Sequence, residues 1–209
     1  MTAKSLQRIF VVGGLLASIA LRANAQRIAG PASTGKIPAP VALDTTGMFL
    51  AKFVKVGDDM FIGGQPTERA LQDMKARGVT TVVNLRSPEE MTRSVSFDEA
   101  ALVGRLGMKY VYIPMRGTAD LPYSPAAVKT FAAAMTAADG KVLLHCTVAW
   151  RASHLWAAYL IQERGVPVAD ALASARSINL MDDMRMGGDR QPLEQFLGRS
   201  VPEMAHPKP

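Results

Sequence analysis

Cys146 and Arg151 stand five positions apart in the run His145-Cys146-Thr147-Val148-Ala149-Trp150-Arg151, and the pair suggests a chemistry. A thiolate is a strong nucleophile, and a guanidinium presents a planar fork of donors that can hold two oxygens of a phosphoryl or similar group at once. The apolar run Val142 to Leu144 comes before and a helical pattern follows from Arg151, so the segment reads as a buried strand, a tight loop and a helix start. Anions bind at such a place, because the first N–H groups of a helix have no internal partner and the helix dipole favours negative charge. The same field favours the thiolate form of a cysteine at the lip of the loop. The backbone donors would come from Thr147, Val148, Ala149 and Trp150. None of these is glycine, although a loop that aims successive N–H groups inward calls for a positive φ, which costs another residue about 1 kcal/mol or more.

Cys146 is the only cysteine of the 209 residues. Taken alone it could be a small apolar residue at a buried strand end. The N-terminus argues for a use. Lys4 and Arg8 precede the apolar run Ile9 to Leu21, and Ala23-Asn24-Ala25 follows it, the pattern of a cleaved secretory signal, expected to span 1–25. The run is shorter than the roughly 20 residues a membrane-spanning helix needs, so no membrane span is expected after cleavage and the chain is expected to be periplasmic or secreted. A lone thiol kept in an oxidising compartment is a liability unless it has a use. Without the signal, 21 basic side chains face 18 acidic ones. The positive charges are scattered singly, which excludes a nucleic-acid-binding surface of the usual basic kind.

The elements that must hold the loop follow from the rest of the chain. Residues 26–47 are rich in Pro, Ala, Gly, Thr and Ser and read as a flexible linker, which places the domain at 48–200 and a tail at 201–209. Thr80 to Leu85, Tyr110 to Ile113 and Val142 to His145 read as buried strands, with Met60 to Ile62 before them. Helices are expected from a Thr67 cap to Arg77, from a Ser96 cap to about Leu106, and from Ser124-Pro125 to Ala137. Others should run from Arg151 to about Arg164, Val168 to about Ser177, and Pro192 to Leu197. Alternating strands and helices predict an α/β domain with a mainly parallel sheet of four to five strands and helices on both faces.

On these residues the sequence resembles the cysteine-dependent protein tyrosine and dual-specificity phosphatases, in which a strand ends in His-Cys and the loop returns to an Arg at a helix start. The resemblance covers roughly 61–165. It is closest to a bacterial branch with a four-residue Cys-to-Arg loop, with Gly64-Gln65-Pro66-Thr67 after the first strand and Val83-Asn84-Leu85-Arg86 after the second. It implies a three-layer phosphatase-like sandwich and hydrolysis of phosphate monoesters, protein phosphotyrosine among them, through a cysteinyl-phosphate, with no metal or cofactor. The expected partner is a phosphorylated protein or a small phosphoester. The same resemblance implies that Cys146 attacks phosphorus and that Arg151 holds its oxygens. Asp120, the only acid between Pro114 and Tyr123, would protonate the leaving oxygen, and His145 would tune the loop. The Ser153 hydroxyl would assist the departing thiolate, and Arg86 or Arg116 would meet substrate anions. Blander readings stand beside these: a buried, satisfied His145, a Ser153 serving the first helical turn, a solvated Asp120, and surface positions for Arg86 and Arg116.

Three other functions share these residues. Four residues between Cys and Arg also suit a rhodanese-like sulfurtransferase, which needs no leaving-group acid. An anion-binding domain could use the loop without turnover. Met181, Met184 and Met186 have a spacing that can suit Cu(I), although methionines more often pack cores and loops.

Overall fold

The computed structural model of the chain describes residues 37–181 and 191–204. The expected signal peptide, half of the linker, Met184, Met186 and the last five residues lie outside that range. Six strands form one sheet: β1 (Val41–Ala42), β2 (Phe53–Val56), β3 (Met60–Gly63), β4 (Val79–Asn84), β5 (Lys109–Tyr112) and β6 (Lys141–His145), in the order β1-β2-β3-β6-β4-β5. The pairs β3–β6, β6–β4 and β4–β5 are parallel, while β1–β2 and β2–β3 are antiparallel. The sheet is therefore mainly parallel, as expected, with more strands than the four to five expected. The addition is an antiparallel extension made by β1 and β2. β1 falls within the stretch expected to be linker, and Val41 and Ala42 pair with Lys55 and Val54. At the other end, Val201 and Met204 are buried in the core, so the fold continues past Ser200.

Seven helices complete the described residues: α1 (Glu68–Ala76), α2 (Pro88–Ser94), α3 (Glu99–Arg105), α4 (Pro125–Ala137), α5 (Trp150–Arg164), α6 (Val168–Ile178) and α7 (Pro192–Leu197). Strand residues alternate between two buried clusters. Phe53, Phe61, Val82 and Leu143 join Leu71 and Met74 of α1 and Leu102 and Val103 of α3 on one face. Val54, Ile62, Val83 and Leu144 join Phe131 of α4, Leu155 of α5, Leu172 of α6 and Phe196 of α7 on the other. Both faces are covered, which a parallel sheet requires, and each large apolar side chain buried this way contributes about 1.5–3 kcal/mol.

Caps fix where the helices begin. Thr67, Ser124 and Asp98 accept from the N–H groups of Ala70, Ala127 and Ala101, respectively. The Asp98 cap corrects the start expected at Ser96. Helix α2 was not expected. Ser87 and Glu90 form a reciprocal capping box with Pro88 at the first helical position, and this box orients a carboxylate toward the loop.

Candidate active site

Register brings three chain segments together at one edge. Gly63, His145 and Asn84 lie side by side across β3, β6 and β4. The residues that follow them, Gly64-Gln65, Cys146 and Leu85-Arg86, therefore meet at the carboxyl ends of adjacent parallel strands, the usual place for a ligand in an α/β sheet.

The loop from Cys146 to Arg151 is held from outside through its carbonyls. Thr147 O accepts from Gln65 N at 2.9 Å, Val148 O from Asn179 Nδ2 at 2.7 Å, and Ala149 O from Ser153 N at 2.9 Å. Ala149 has φ 66° and offers no side-chain cap to α5, so the amides of that first turn are left to meet an anion. The required positive φ thus falls on an alanine, at the cost anticipated from a loop without glycine. Gly64 explains the tight fit on the other side. A Cβ there would lie 1.7 Å from the Leu50 carbonyl oxygen and 2.8 Å from that of Thr147.

Arg151 is fixed by a residue that the sequence reading missed. Its Nη1 and Nη2 donate to Glu90 Oε2 at 2.8 Å and Oε1 at 2.7 Å, and Nη1 also donates to Met115 O at 2.7 Å. Thr147 Oγ1 donates to Glu90 Oε1 at 2.9 Å, and the Ser87 N–H donates to Oε2. Burial alone would raise the Glu90 carboxyl, but these donors and the Arg151 charge outweigh it and bring it down to about 2. The signal for Glu90 was present in the capping-box spacing Ser87-Pro88-Glu89-Glu90.

Beneath the loop lies a second buried group. His145 Nε2 is 2.9 Å from Glu99 Oε1, with both side chains fully buried. Burial would raise Glu99, but the facing His145, the Gln65 amide and the Tyr110 hydroxyl hold it below the usual carboxylate range. It is therefore an acceptor, and His145 Nε2 donates. Gln65 Nε2 donates to Glu99 Oε2 at 2.6 Å and Asn84 Nδ2 to Glu99 Oε1 at 3.1 Å. Arg86 is 2% exposed, and its Nη1 donates to Gln65 Oε1 at 2.6 Å. Its guanidinium is thus turned inward, which corrects the surface alternative, and it lies within the field of Cys146 and Arg151. No local pattern in the sequence marks Glu99, which reaches His145 from 46 positions away.

The remaining expected residues divide. Cys146 is 1% exposed at the base of the loop, and Trp150 is the first residue of α5. Ser153 is buried and its hydroxyl donates to Trp150 O at 2.7 Å. Asp120 stands on the segment that joins β5 to α4. It is exposed, and hydrogen bonds centred on Thr118 hold its carboxyl below its ordinary value, the opposite of what a proton donor needs. Arg116 lies at the rim, 4.0 Å from Glu90 Oε2.

The family model for the phosphatase-like domain of Beta-lactamase hydrolase-like proteins matches residues 52–162, more than half of the chain. The chain belongs to this family. Beta-lactamase hydrolase-like proteins of Xylella fastidiosa (strain Temecula1) and Agrobacterium fabrum are 31% and 29% identical to it over 107 and 106 residues. These alignments take in 51% and 50% of the chain but 24% of either relative, so this phosphatase-like domain matches about a quarter of the length of the curated relatives. Among solved structures, P. aeruginosa TpbA in complex with pTyr has a TM-score of 0.52 at 18% identity, covering 73% of this chain and 86% of that one. PTPMT1 in complex with PI(5)P also has a TM-score of 0.52, at 16% identity, covering 68% and 89%. Both share the fold of this phosphatase-like domain.

Proposed function

We propose that the chain hydrolyses phosphate monoesters through a cysteinyl-phosphate. The observation that carries this reading is the pairing, in one loop, of Cys146 at the end of β6 with an Arg151 fork fixed at the start of α5. In the first step a Cys146 S–P bond forms as the P–O bond to the leaving group breaks. The amides of the loop and Arg151 stabilise the charge on the oxygens that remain on phosphorus. In the second step water attacks phosphorus, the S–P bond breaks, and inorganic phosphate and the thiolate are released. With the Asp120 carboxyl exposed and held below its ordinary value, a leaving oxygen that needs no proton is favoured, so aryl esters, whose phenolates leave readily, are the preferred substrates. The depth of Cys146 points the same way, because a long planar stalk such as that of phosphotyrosine reaches where a phosphoserine would not. The test is hydrolysis of an aryl phosphate by the purified full chain and by Cys146→Ser. Folded protein without Cys146-dependent turnover refutes the reading.

The position of Asp120 favours a second reading, rhodanese-like sulfur transfer, which requires no leaving-group acid. Persulfide formation on Cys146 from thiosulfate, with turnover above that on aryl phosphate, would establish it. We also propose that the chain is exported, on the pattern of its first 25 residues. A mature N-terminus at Gln26 in a periplasmic extract is the expected finding, and an intact Met1 in that extract counts against it.

A further inference from the structure

Tyr123 ends the segment that joins β5 to α4, immediately before the Ser124 cap. It is 3% exposed, and its ring packs on Phe196 of α7 with centroids 5.3 Å apart. This packing accounts for the ring but not for the hydroxyl, which has no hydrogen-bond partner among the described residues. A buried hydroxyl left unpaired is costly, so a fold that retains one calls for a reason.

The surroundings of the hydroxyl supply that reason. Tyr123 belongs to the same buried cluster as Cys146, Ala149 and Trp150; burial raises its ionisation to about 12, and prominent among the charged or ionisable groups that act on it are Arg151, Cys146, Glu90 and Arg116. These are the nucleophile, the arginine fork, the carboxylate that fixes the fork, and the cation at the rim. No other residue between Pro114 and Tyr123 offers the loop a buried side-chain hydroxyl or carboxyl, since Asp120 and Thr118 are exposed. The phenol stays protonated throughout the physiological range, so toward an anion it is a donor and not a competing charge.

We propose that the Tyr123 hydroxyl is a ligand of the oxyanion held by the Cys146–Arg151 loop, donating a hydrogen bond to a non-bridging oxygen of the bound phosphoryl group. The inference rests on the phosphatase reading and adds a contact to it. The hydroxyl stays on the tyrosine through both chemical steps and transfers no proton.

The test compares the full chain with Tyr123→Phe, which keeps the ring against Phe196 and removes only the oxygen. Tungstate, a tetrahedral dianion, is titrated into each by calorimetry at pH 7. Loss of one hydrogen bond to a charged group weakens binding by about 10- to 100-fold. The melting temperature of ligand-free Tyr123→Phe is expected to equal or exceed that of the parent, because an unpaired hydroxyl has been removed. Equal tungstate affinities overturn the inference and leave the phosphatase reading intact. No tungstate binding by the folded parent overturns both. A lower ligand-free melting temperature in Tyr123→Phe assigns the hydroxyl to the fold and overturns the inference. So does a catalytic penalty that grows from aryl to alkyl phosphates, which marks a proton donor.

Discussion

Replacing Glu90 with glutamine tests whether the carboxylate, more than its shape, holds Arg151 in place. Glutamine keeps the length of the side chain and imitates the protonated acid, so the variant removes what ionisation contributes. That contribution follows from the lowering of Glu90 from 4.5 to about 2. At about 1.36 kcal/mol per unit, this amounts to roughly 3 kcal/mol. The conversion applies because the Glu90 and Arg151 side chains are only 17% and 7% exposed. The folded-state value is depressed, so the stabilisation is fully present above pH 4.5 and is lost as the pH falls through 2. Urea unfolding at pH 7 should place the midpoint of Glu90→Gln lower by about 1.5 M, for a slope of about 2 kcal/mol per molar. At pH 3 the gap in free energy should shrink to about 1.4 kcal/mol, because more than half of the native advantage of the carboxylate has been titrated away. Acid weakens both proteins through other groups, but the difference between them isolates this one. A deficit that stays constant with pH, or one absent at pH 7, refutes the argument that the ion pair organises the loop.

Other outcomes follow from the same structure. Asp120→Asn should change kcat on aryl phosphates by less than about twofold, whereas an aligned general acid contributes about 10²–10⁴-fold; a loss in that range would return Asp120 to the site. His154 is fully buried with no hydrogen-bond partner for either ring nitrogen among the described residues, and burial lowers it from 6.5 to about 3. The unfolded chain binds this proton first, so stability should fall by about 2 kcal/mol between pH 6.5 and 5. His154→Leu should flatten that slope in urea unfolding, and an unchanged slope rejects the assignment. Ala149→Gly should relieve the strain of the left-handed backbone by up to about 1 kcal/mol, a rise in melting temperature of about 2–4 °C. A fall would mean that the buried methyl group outweighs the strain.

Much of the fold was legible because its signals were local. Ser124-Pro125 set the start of α4, and β-branched runs set β4 and β6. Helix α3 was displaced because Ser96 and Asp98 both offer a capping oxygen two residues apart, and the tertiary fold used Asp98. Strands β1 and β2 were missed because the two residues of β1 have no period of their own and pair only through neighbours fixed elsewhere. The nucleophile and the arginine were legible for the same reason of locality, as a strand end and a helix start. The residues that fix them were not, since Glu90 and Glu99 act across the fold. Asp120 and Arg86 were assigned by position along the chain alone. The turn from Gly117 to Leu121 carries the first outward, and the Gln65 amide takes the second inward.

That amide also gives the two sequence motifs a common cause. Gln65 accepts from Arg86 with its oxygen and donates to Glu99 with its nitrogen, so one neutral side chain joins a buried cation to a buried anion. Neither charge of such a pair is tolerated alone in an apolar interior, and an amide satisfies both without adding a third. Gly64 is required one residue earlier because Leu50 and Thr147 close on it, and Asn84 is required because Glu99 and Tyr110 share its amide nitrogen. The Gly-Gln and Asn-Leu-Arg segments are thus supports of the loop. A four-residue loop without glycine can hold its strained alanine because the cost, about 1 kcal/mol, is small beside the ion pair and hydrogen bonds that grip the loop on either side.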